Sequence, residues 1–91
     1  MTSKEKLYYL LTKYLQGNYD TKTFSDLISD TFNLELDNSL TEMEIQVFGD
    51  LVSMACRFSP FGEDLKLPNV YFNDQQIRLK AEETWGKLKD N

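Results

Sequence analysis

The chain has 91 residues, of which 41% are hydrophobic and 27% charged, and this size predicts one domain over residues 1–91. Its 10 Lys and Arg against 15 Asp and Glu leave a net charge of −5, which argues against direct binding to nucleic acid or to an anionic membrane. The sequence has no histidine and one cysteine, Cys56, so it offers no histidine triad, no histidine metal site and no intramolecular disulfide.

The first two helices are predicted by their caps and by the spacing of their apolar residues. Thr2 and Glu5 form a capping box, in which each side chain satisfies a backbone donor of the first turn. Apolar residues then recur at helical spacing, at Leu7, Leu10, Leu11, Tyr14 and Leu15. Gly17 is the expected end of this helix, because glycine adopts the left-handed cap without steric cost. A second helix is expected from Asp20 or Thr21, with apolar positions Phe24, Leu27, Ile28 and Phe32.

The third helix has the clearest predicted start. Thr41 and Glu44 form a second capping box, and Leu40 and Ile45 are placed to close over it as a hydrophobic staple. The expected buried face consists of Ile45, Phe48, Leu51, Val52, Ala55 and Phe58. Pro60 and Gly62 are the expected stop signals.

A long loop is predicted between the third and fourth helices. About fifteen residues without a helical pattern follow Pro60, and loops of this length are uncommon and often functional. Asn73 and Gln76 open the last helix, whose apolar stripe is Ile77, Ala81, Trp85 and Leu88. Four amphipathic helices with no convincing strand pairs predict an all-α fold, an antiparallel four-helix bundle with a long loop between helices 3 and 4.

Charge is distributed unevenly along the chain. Residues 23–64 contain nine acids and one base, Arg57, for a net charge of −8. The flanking residues 1–22 and 65–91 carry net charges of +2 and +1. A surface of one sign attracts a partner of the opposite sign and speeds its association.

Two acids of this middle segment are predicted to share one helix face. Asp26 and Asp30 are four residues apart, with Ser29 beside them, and this spacing places them one above the other on the second helix. Asp50 falls on the third helix away from its apolar face. Acidic faces are also commonly just solvated, so a solvated face and a partner surface both remain open on charge alone.

Catalytic and metal motifs fail when they are tested against their spacing rules. The alternating residues Glu35, Asp37 and Ser39 follow a calcium-loop pattern, but Leu40 stands where the loop needs glycine. Cys56 has no histidine to act as its base and is expected to be a half-buried, inert thiol. No cofactor is indicated, and we expect a non-catalytic protein.

The apolar run that begins at Leu7 ends at Leu11, which is shorter than the roughly 7–15 residues of a signal-peptide core. No segment approaches the roughly 18 apolar residues of a membrane span. We therefore expect a cytoplasmic location.

The order of elements resembles the immunity protein of colicin D and related immunity proteins of contact-dependent growth inhibition systems. The resemblance covers most of the chain, and its most specific fragment is Arg57-Phe58-Ser59-Pro60 at the end of the third helix. It also includes the first-helix stripe through Tyr14 and the last helix around Trp85. It implies a single immunity-protein-like domain with no activity of its own. Such a domain binds a toxin that cleaves transfer RNA and covers the toxin's basic cleft with acidic side chains.

The resemblance departs from the family pattern where the third helix ends. Similar proteins tend to carry acids there and just after the proline, whereas this chain has Cys56, Ser59 and Phe61. The nearest acids are Glu63 and Asp64, so the contact has either moved into the loop, with Phe61 as an apolar anchor, or the toxin differs. The candidate partner-binding residues are Asp26, Asp30, Glu35, Asp37, Asp50, Phe61, Glu63 and Asp64.

Two functions therefore remain open from the sequence. The first is an antitoxin that forms a 1:1 complex with a basic nuclease toxin domain, with strong sensitivity to salt and no direct contact with nucleic acid or membrane. The second is a small helical adaptor that binds another bacterial protein through an apolar groove beside loop 59–73. The adaptor would bind independently of salt and would depend on Phe61, Tyr71 and Phe72.

Overall fold

The computed structural model describes residues 2–59 and 71–89, which form an all-α four-helix bundle as predicted. The helices of these two ranges are α1 (Ser3–Leu15), α2 (Thr21–Leu34), α3 (Glu42–Ala55) and α4 (Asp74–Lys89). Each of α1 and α3 packs against both α2 and α4, and the α2–α4 pair makes the sparser contact across the diagonal. None of these helices combines the length and the apolar character that crossing a bilayer requires.

The predicted caps are confirmed. Thr2 and Glu5 exchange backbone and side-chain hydrogen bonds at the start of α1, and Thr41 and Glu44 do the same at the start of α3. Asp20 caps α2 by accepting a hydrogen bond from the Thr23 amide.

Gly17 ends α1 in the way the sequence predicts. Its φ of 85° is left-handed, a conformation that is strained for any residue with a Cβ. The Gly17 amide donates to the Tyr14 carbonyl and the Asn18 amide to the Lys13 carbonyl, which satisfies two carbonyl groups of the last turn. The chain can therefore reverse into α2 within a few residues.

Contacts at both ends of α1 and α2 establish that these helices are antiparallel. Ser3, at the start of α1, donates a 2.6 Å hydrogen bond to Asp37, which follows α2. Tyr14, near the end of α1, stacks on Phe24 in the first turn of α2 at a centroid distance of 4.0 Å. The two helices thus run side by side in opposite directions.

The core contains side chains from all four helices. Its fully buried members include Leu7, Leu11, Tyr14, Phe24, Ile28, Phe48, Leu51 and Ile77. Ile45 was predicted to be buried, and this is wrong, because its side chain is 36% exposed. In that turn of α3 the side chain that points into the bundle is that of Glu44, which is buried and hydrogen-bonded to Tyr8 of α1.

The third helix ends earlier than the apolar pattern predicts. It stops at Ala55, and Phe58, which was expected on the buried face, lies beyond it and is half-buried. After Ala55 the chain tightens into a turn, in which the Arg57 amide donates to the Met54 carbonyl and the Phe58 amide donates to the Ala55 carbonyl. Beyond this turn, the Phe72 amide donates to the Arg57 carbonyl, and the Ser59 amide donates to the Phe72 carbonyl. These bonds form a short parallel bridge between Phe58 and Phe72 and hold the start of α4 beside the end of α3.

Candidate functional site

An open groove of about 250 Å³ lies between α2 and the end of α3. We call it the α2–α3 groove, and it is lined by Ser25, Asp26, Ser29 and Asp30 from α2 and by Cys56 and Phe58 from the end of α3. Lys22, one turn before Asp26, also reaches it. Because the two helices are antiparallel neighbours, the first half of α2 faces the last turn of α3 here.

The two carboxylates of the groove have few partners in their own chain. Asp26 pairs with Lys22 at 3.2 Å, but the two side chains are 66% and 71% exposed. An exposed pair of this kind contributes only about 0.3–0.5 kcal/mol. Asp30 is exposed and makes no hydrogen bond or ion pair with any residue in ranges 2–59 and 71–89. Among the described residues, the Asp30 carboxylate therefore has no partner. The Asp26 carboxylate has a weak partner, Lys22, which a better-placed cation can displace.

Ser25 gives the groove an unsatisfied hydroxyl group. The residue is 4% exposed, and its Oγ atom has no hydrogen-bond partner among residues 2–59 and 71–89. A buried hydroxyl without a partner costs about 1–3 kcal/mol, and such groups are uncommon in folded proteins. The neighbouring Ser29 hydroxyl, by contrast, accepts a 3.4 Å hydrogen bond from the Cys56 thiol.

Cys56 differs from its predicted environment. It was expected to be half-buried, and this is wrong, because the thiol-bearing residue is exposed. The reason is that α3 ends at Ala55, so Cys56 occupies the cap and turns out of the packed face. The thiol thereby becomes part of the groove wall.

Glu35 and Asp37 form contacts within the bundle. The Glu35 carboxylate pairs with Lys6 of α1 at 2.7 Å. Asp37 accepts hydrogen bonds from the hydroxyls and backbone amides of both Ser3 and Ser39. These bonds, with the Ser3 hydroxyl contributing most, hold the pKa of Asp37 well below its usual range. Both carboxylates thus help to join α1 to the loop after α2.

Asp50 is exposed on α3, as predicted, and has no hydrogen bond or ion pair with the rest of the described chain. It does not line the α2–α3 groove. The structure therefore leaves Asp26, Asp30 and Asp50 as the candidate acids that the fold itself uses least.

The remaining candidates, Phe61, Glu63 and Asp64, lie outside the described residues. The same holds for most of loop 59–73, beside which the adaptor hypothesis places its apolar groove. Of the aromatic residues named for that hypothesis, Tyr71 is exposed and Phe72 is half-buried in the bridge to α3.

A buried acid at the opposite end of the bundle was only partly predicted. The sequence predicts the Thr41–Glu44 cap, but Glu44 also accepts a 2.5 Å hydrogen bond from Tyr8 and lies 3.6 Å from the Lys4 ammonium group. Burial raises the pKa of Glu44, but the hydrogen bonds from Thr41 and Tyr8 outweigh it and leave the pKa below its usual value. Burial and the bond to Glu44 raise the pKa of Tyr8 to about 12.

The sequence analysis did not name six residues of the groove as site residues: Ser25, Ser29, Lys22, Ala55, Cys56 and Phe58. A sequence signal for the two serines was present, because the dipeptide Ser-Asp occurs at residues 25–26 and again at 29–30. Four residues is about one helical turn, so this repeat places two hydroxyls and two carboxylates on adjacent rows of α2. No local signal predicts that Phe58 turns toward α2, because that depends on the bridge with Phe72.

The groove contains hydrogen-bond acceptors, negative charge and one aromatic ring. Across residues 2–59 and 71–89, no three Asp, Glu or Cys side chains come together in a way that would hold a metal ion. The arrangement is suited to binding a cationic group, for which carboxylates and hydroxyl oxygens are favourable contacts. Phe58, which packs partly against the core, adds an aromatic residue to the lining.

Comparison with known proteins adds no relative to this description. No protein-family model matches the chain, and no curated protein or solved structure matches it. The resemblance to colicin D immunity proteins therefore stays a prediction, and the functional argument depends on the residues of the bundle.

Proposed function

We propose that this protein is an immunity protein. It binds a cognate bacterial nuclease toxin domain, one that cleaves transfer RNA, and covers the basic active-site cleft of that toxin with acidic side chains. The protein itself is non-catalytic, acts in the cytoplasm and forms a 1:1 complex. The choice of a transfer-RNA-cleaving toxin depends on the sequence resemblance alone.

The observation that carries the proposal is the state of the acids on α2 and α3. Asp26, Asp30 and Asp50 are exposed, and their only cationic partner among the described residues is Lys22. They belong to the segment 23–64, whose net charge is −8. Like charges four residues apart cost an isolated helix a few tenths of a kcal/mol, so this pattern favours a use outside the fold.

A nuclease cleft supplies the matching surface. Such a cleft carries Lys and Arg side chains that contact RNA phosphates, and carboxylates can occupy the phosphate positions with charge-assisted hydrogen bonds. Charge complementarity of this kind also raises the association rate and makes it depend on ionic strength. An adaptor that binds through apolar contacts would lack that dependence.

A protection experiment tests the proposal in cells. An immunity gene is expected directly beside its toxin gene, so the C-terminal domain encoded immediately upstream is expressed from an inducible promoter in a bacterial host. We expect growth when this protein is co-expressed, and loss of growth with Asp26→Lys/Asp30→Lys. The control is Glu82→Lys/Glu83→Lys, which makes the same charge change on exposed residues of α4 and should still protect. It also removes the exposed pairs of Glu83 with Lys80 and Lys87, so its fold is checked by circular dichroism.

Binding at two salt concentrations separates the antitoxin from the adaptor. We expect the association rate with the upstream-encoded domain to fall at least about tenfold between 50 and 500 mM NaCl, because screening shortens the reach of the acidic surface. Cell death despite soluble expression of this protein would contradict the antitoxin proposal. Binding that is indifferent to salt would favour the adaptor.

A further inference from the structure

We infer that the α2–α3 groove is a socket for one arginine side chain of the partner protein. The inference rests on the proposed function and makes it more specific. Within the acidic segment 23–64, we assign this groove as the place where a guanidinium group of the partner binds. The site consists of the Asp26 and Asp30 carboxylates, the Ser25 and Ser29 hydroxyls and the Phe58 ring.

The two carboxylates match the donor pattern of a guanidinium group. Residues four apart on a helix have Cβ atoms about 5–6 Å from each other, a spacing that one planar group with five N–H donors can bridge. A guanidinium group binds two acceptors at fixed angles, whereas the ammonium group of lysine is a compact point charge. The groove carries two carboxylates against one lysine, so an added cation neutralises it.

The unsatisfied Ser25 hydroxyl is an independent reason to expect a ligand. It is 4% exposed and lines the groove, and its Oγ lacks a hydrogen-bond partner in the part of the chain that the structure describes. Unsatisfied buried polar groups are rare in native structures, and those that occur call for an explanation such as a binding role. Because the Oγ is closed to solvent in the free protein, the Ser25 side chain must turn toward the groove before a bound guanidinium group, or a water that it positions, supplies the missing partner.

The Phe58 ring selects for arginine over lysine. Phe58 is half-buried and forms part of the groove wall at the end of α3. The guanidinium group is planar and weakly hydrated, so it stacks on an aromatic face more readily than an ammonium group does. The bridge between Phe58 and Phe72 holds this part of the wall in place.

In the free protein, Lys22 is paired with one of the two carboxylates of the socket, that of Asp26. Its ammonium group lies 3.2 Å from the Asp26 carboxylate, and because both side chains are mostly exposed the pair is weak. An incoming arginine displaces Lys22 from Asp26 and gains Asp30 as a second carboxylate. Removing the lysine charge should therefore strengthen arginine binding.

The probe for this site is N-acetyl-arginine methylamide, titrated into the full-length protein and followed by ¹H–¹⁵N NMR. We expect the largest amide shifts at Ser25, Ser29, Asp30 and Cys56. The citrulline analogue, which has the same shape without the charge, should produce none of them. The lysine analogue should bind at least about threefold more weakly than the arginine compound.

Matched variants test which residues form the socket. Asp26→Asn/Asp30→Asn should weaken binding of the arginine probe about tenfold, whereas Glu82→Gln/Glu83→Gln should change it less than about twofold. Lys22→Met should strengthen it about twofold. Ser25→Ala should weaken it while the protein keeps its fold, which the NMR spectrum itself reports.

Reaction of the Cys56 thiol gives a second readout. The thiol is exposed and lines the groove, so the arginine probe should slow its alkylation by iodoacetamide and the citrulline analogue should not. Equal shifts with the citrulline analogue, equal binding of arginine and lysine, or shifts spread over all exposed acids would each overturn the socket.

Failure of the socket and failure of the proposed function are distinguishable. If the toxin domain binds tightly but the arginine probe finds no site in the groove, the socket is wrong and the immunity proposal stands. If the probe binds in the groove but the upstream-encoded domain does not bind this protein, the immunity proposal is wrong.

Discussion

The end of the bundle where α1 begins and the α2–α3 groove differ in how their buried polar side chains are satisfied. At that end of the bundle, Ser3 and Glu44 are buried and every bond they need is made within the chain. In the groove, Ser25 is equally buried at 4% exposure, but among the described residues neither its hydroxyl nor the Asp30 carboxylate has a partner. The buried Thr21 hydroxyl nearby, by contrast, bonds to Tyr14 and Asp74. The comparison teaches that acidic residues of one segment differ in how far the fold uses them, and that their hydrogen bonds reveal this difference where their charge does not.

The end of the bundle where α1 begins joins the helices. Asp37, Ser39 and Glu44 contact the first two turns of α1 from the loop after α2 and from the first turn of α3. Each of these contacts joins two residues that are more than 30 positions apart in the sequence. They therefore hold α1 against parts of the chain that would be free to move away from it in the unfolded state. The α2–α3 groove has no such network, and its carboxylates remain open to a partner.

The largest effect is expected from removing the buried acid. Glu44→Ala should lower the free energy of unfolding by about 2–4 kcal/mol, because the Tyr8 hydroxyl and the Thr41 amide lose their acceptor. The matched control Glu42→Ala changes an exposed acid of the same turn and should cost about 0.5 kcal/mol. Urea denaturation measures both, and equal losses would show that the Tyr8–Glu44 contact adds no stability.

The two buried serines should respond with opposite signs. Ser3→Ala should destabilise the protein by about 1–2 kcal/mol, because its hydroxyl bonds to Asp37 at 2.6 Å. Ser25→Ala should stabilise it by about 0.5–1 kcal/mol, because it removes an unsatisfied hydroxyl from a helix. Thermal denaturation of both variants checks this, and destabilisation by Ser25→Ala would mean that its hydroxyl has a partner in the free protein.

Stability should also depend on Asp37 in acid. Hydrogen bonds from Ser3 and Ser39 keep the folded-state pKa of Asp37 far below the ordinary value of 3.8. A depressed pKa stabilises the fold fully above the unfolded-state value, and that contribution is lost as pH falls toward the folded-state pKa. Asp37→Asn should therefore lower Tm at pH 7, and the gap to the unaltered protein should shrink below about pH 4. A gap independent of pH would assign the effect to shape and not to charge.

The smallest effect on stability is expected in the groove. Asp30→Asn should change the free energy of unfolding by no more than a few tenths of a kcal/mol, and in the stabilising direction, because it relieves repulsion from Asp26. Denaturant titration at low salt measures this, with Asp26→Asn for comparison, which also loses the weak Lys22 pair. A loss above about 1 kcal/mol would mean that Asp30 serves the fold.

Local features of the fold could be predicted from the sequence, and non-local ones could not. The caps at Thr2, Thr41 and Asn73 follow from side chains within three residues of each other, and the structure has all of them. The inward turn of Glu44 depends on Tyr8, which lies 36 residues away, so the apolar pattern placed Ile45 inside instead.

The candidate site shows the same division. Asp26 and Asp30 were predicted to share a face because their spacing is helical, and the structure places both in one groove. The other wall of that groove could not be predicted, since Cys56 and Phe58 reach it only because α3 stops at Ala55. Phe58 is also joined to Phe72 by a backbone bridge, a non-local contact that the sequence pattern does not predict.

The affinity for the upstream-encoded toxin domain, measured by calorimetry, tests the central claim most directly. Asp26→Asn/Asp30→Asn should weaken binding about 100-fold, because desolvated cations of the partner lose their acceptors, and Glu82→Gln/Glu83→Gln should stay within about threefold of the unaltered protein. Equal affinity for the two double variants would contradict the account, because the carboxylates of the α2–α3 groove would then have no partner to neutralise.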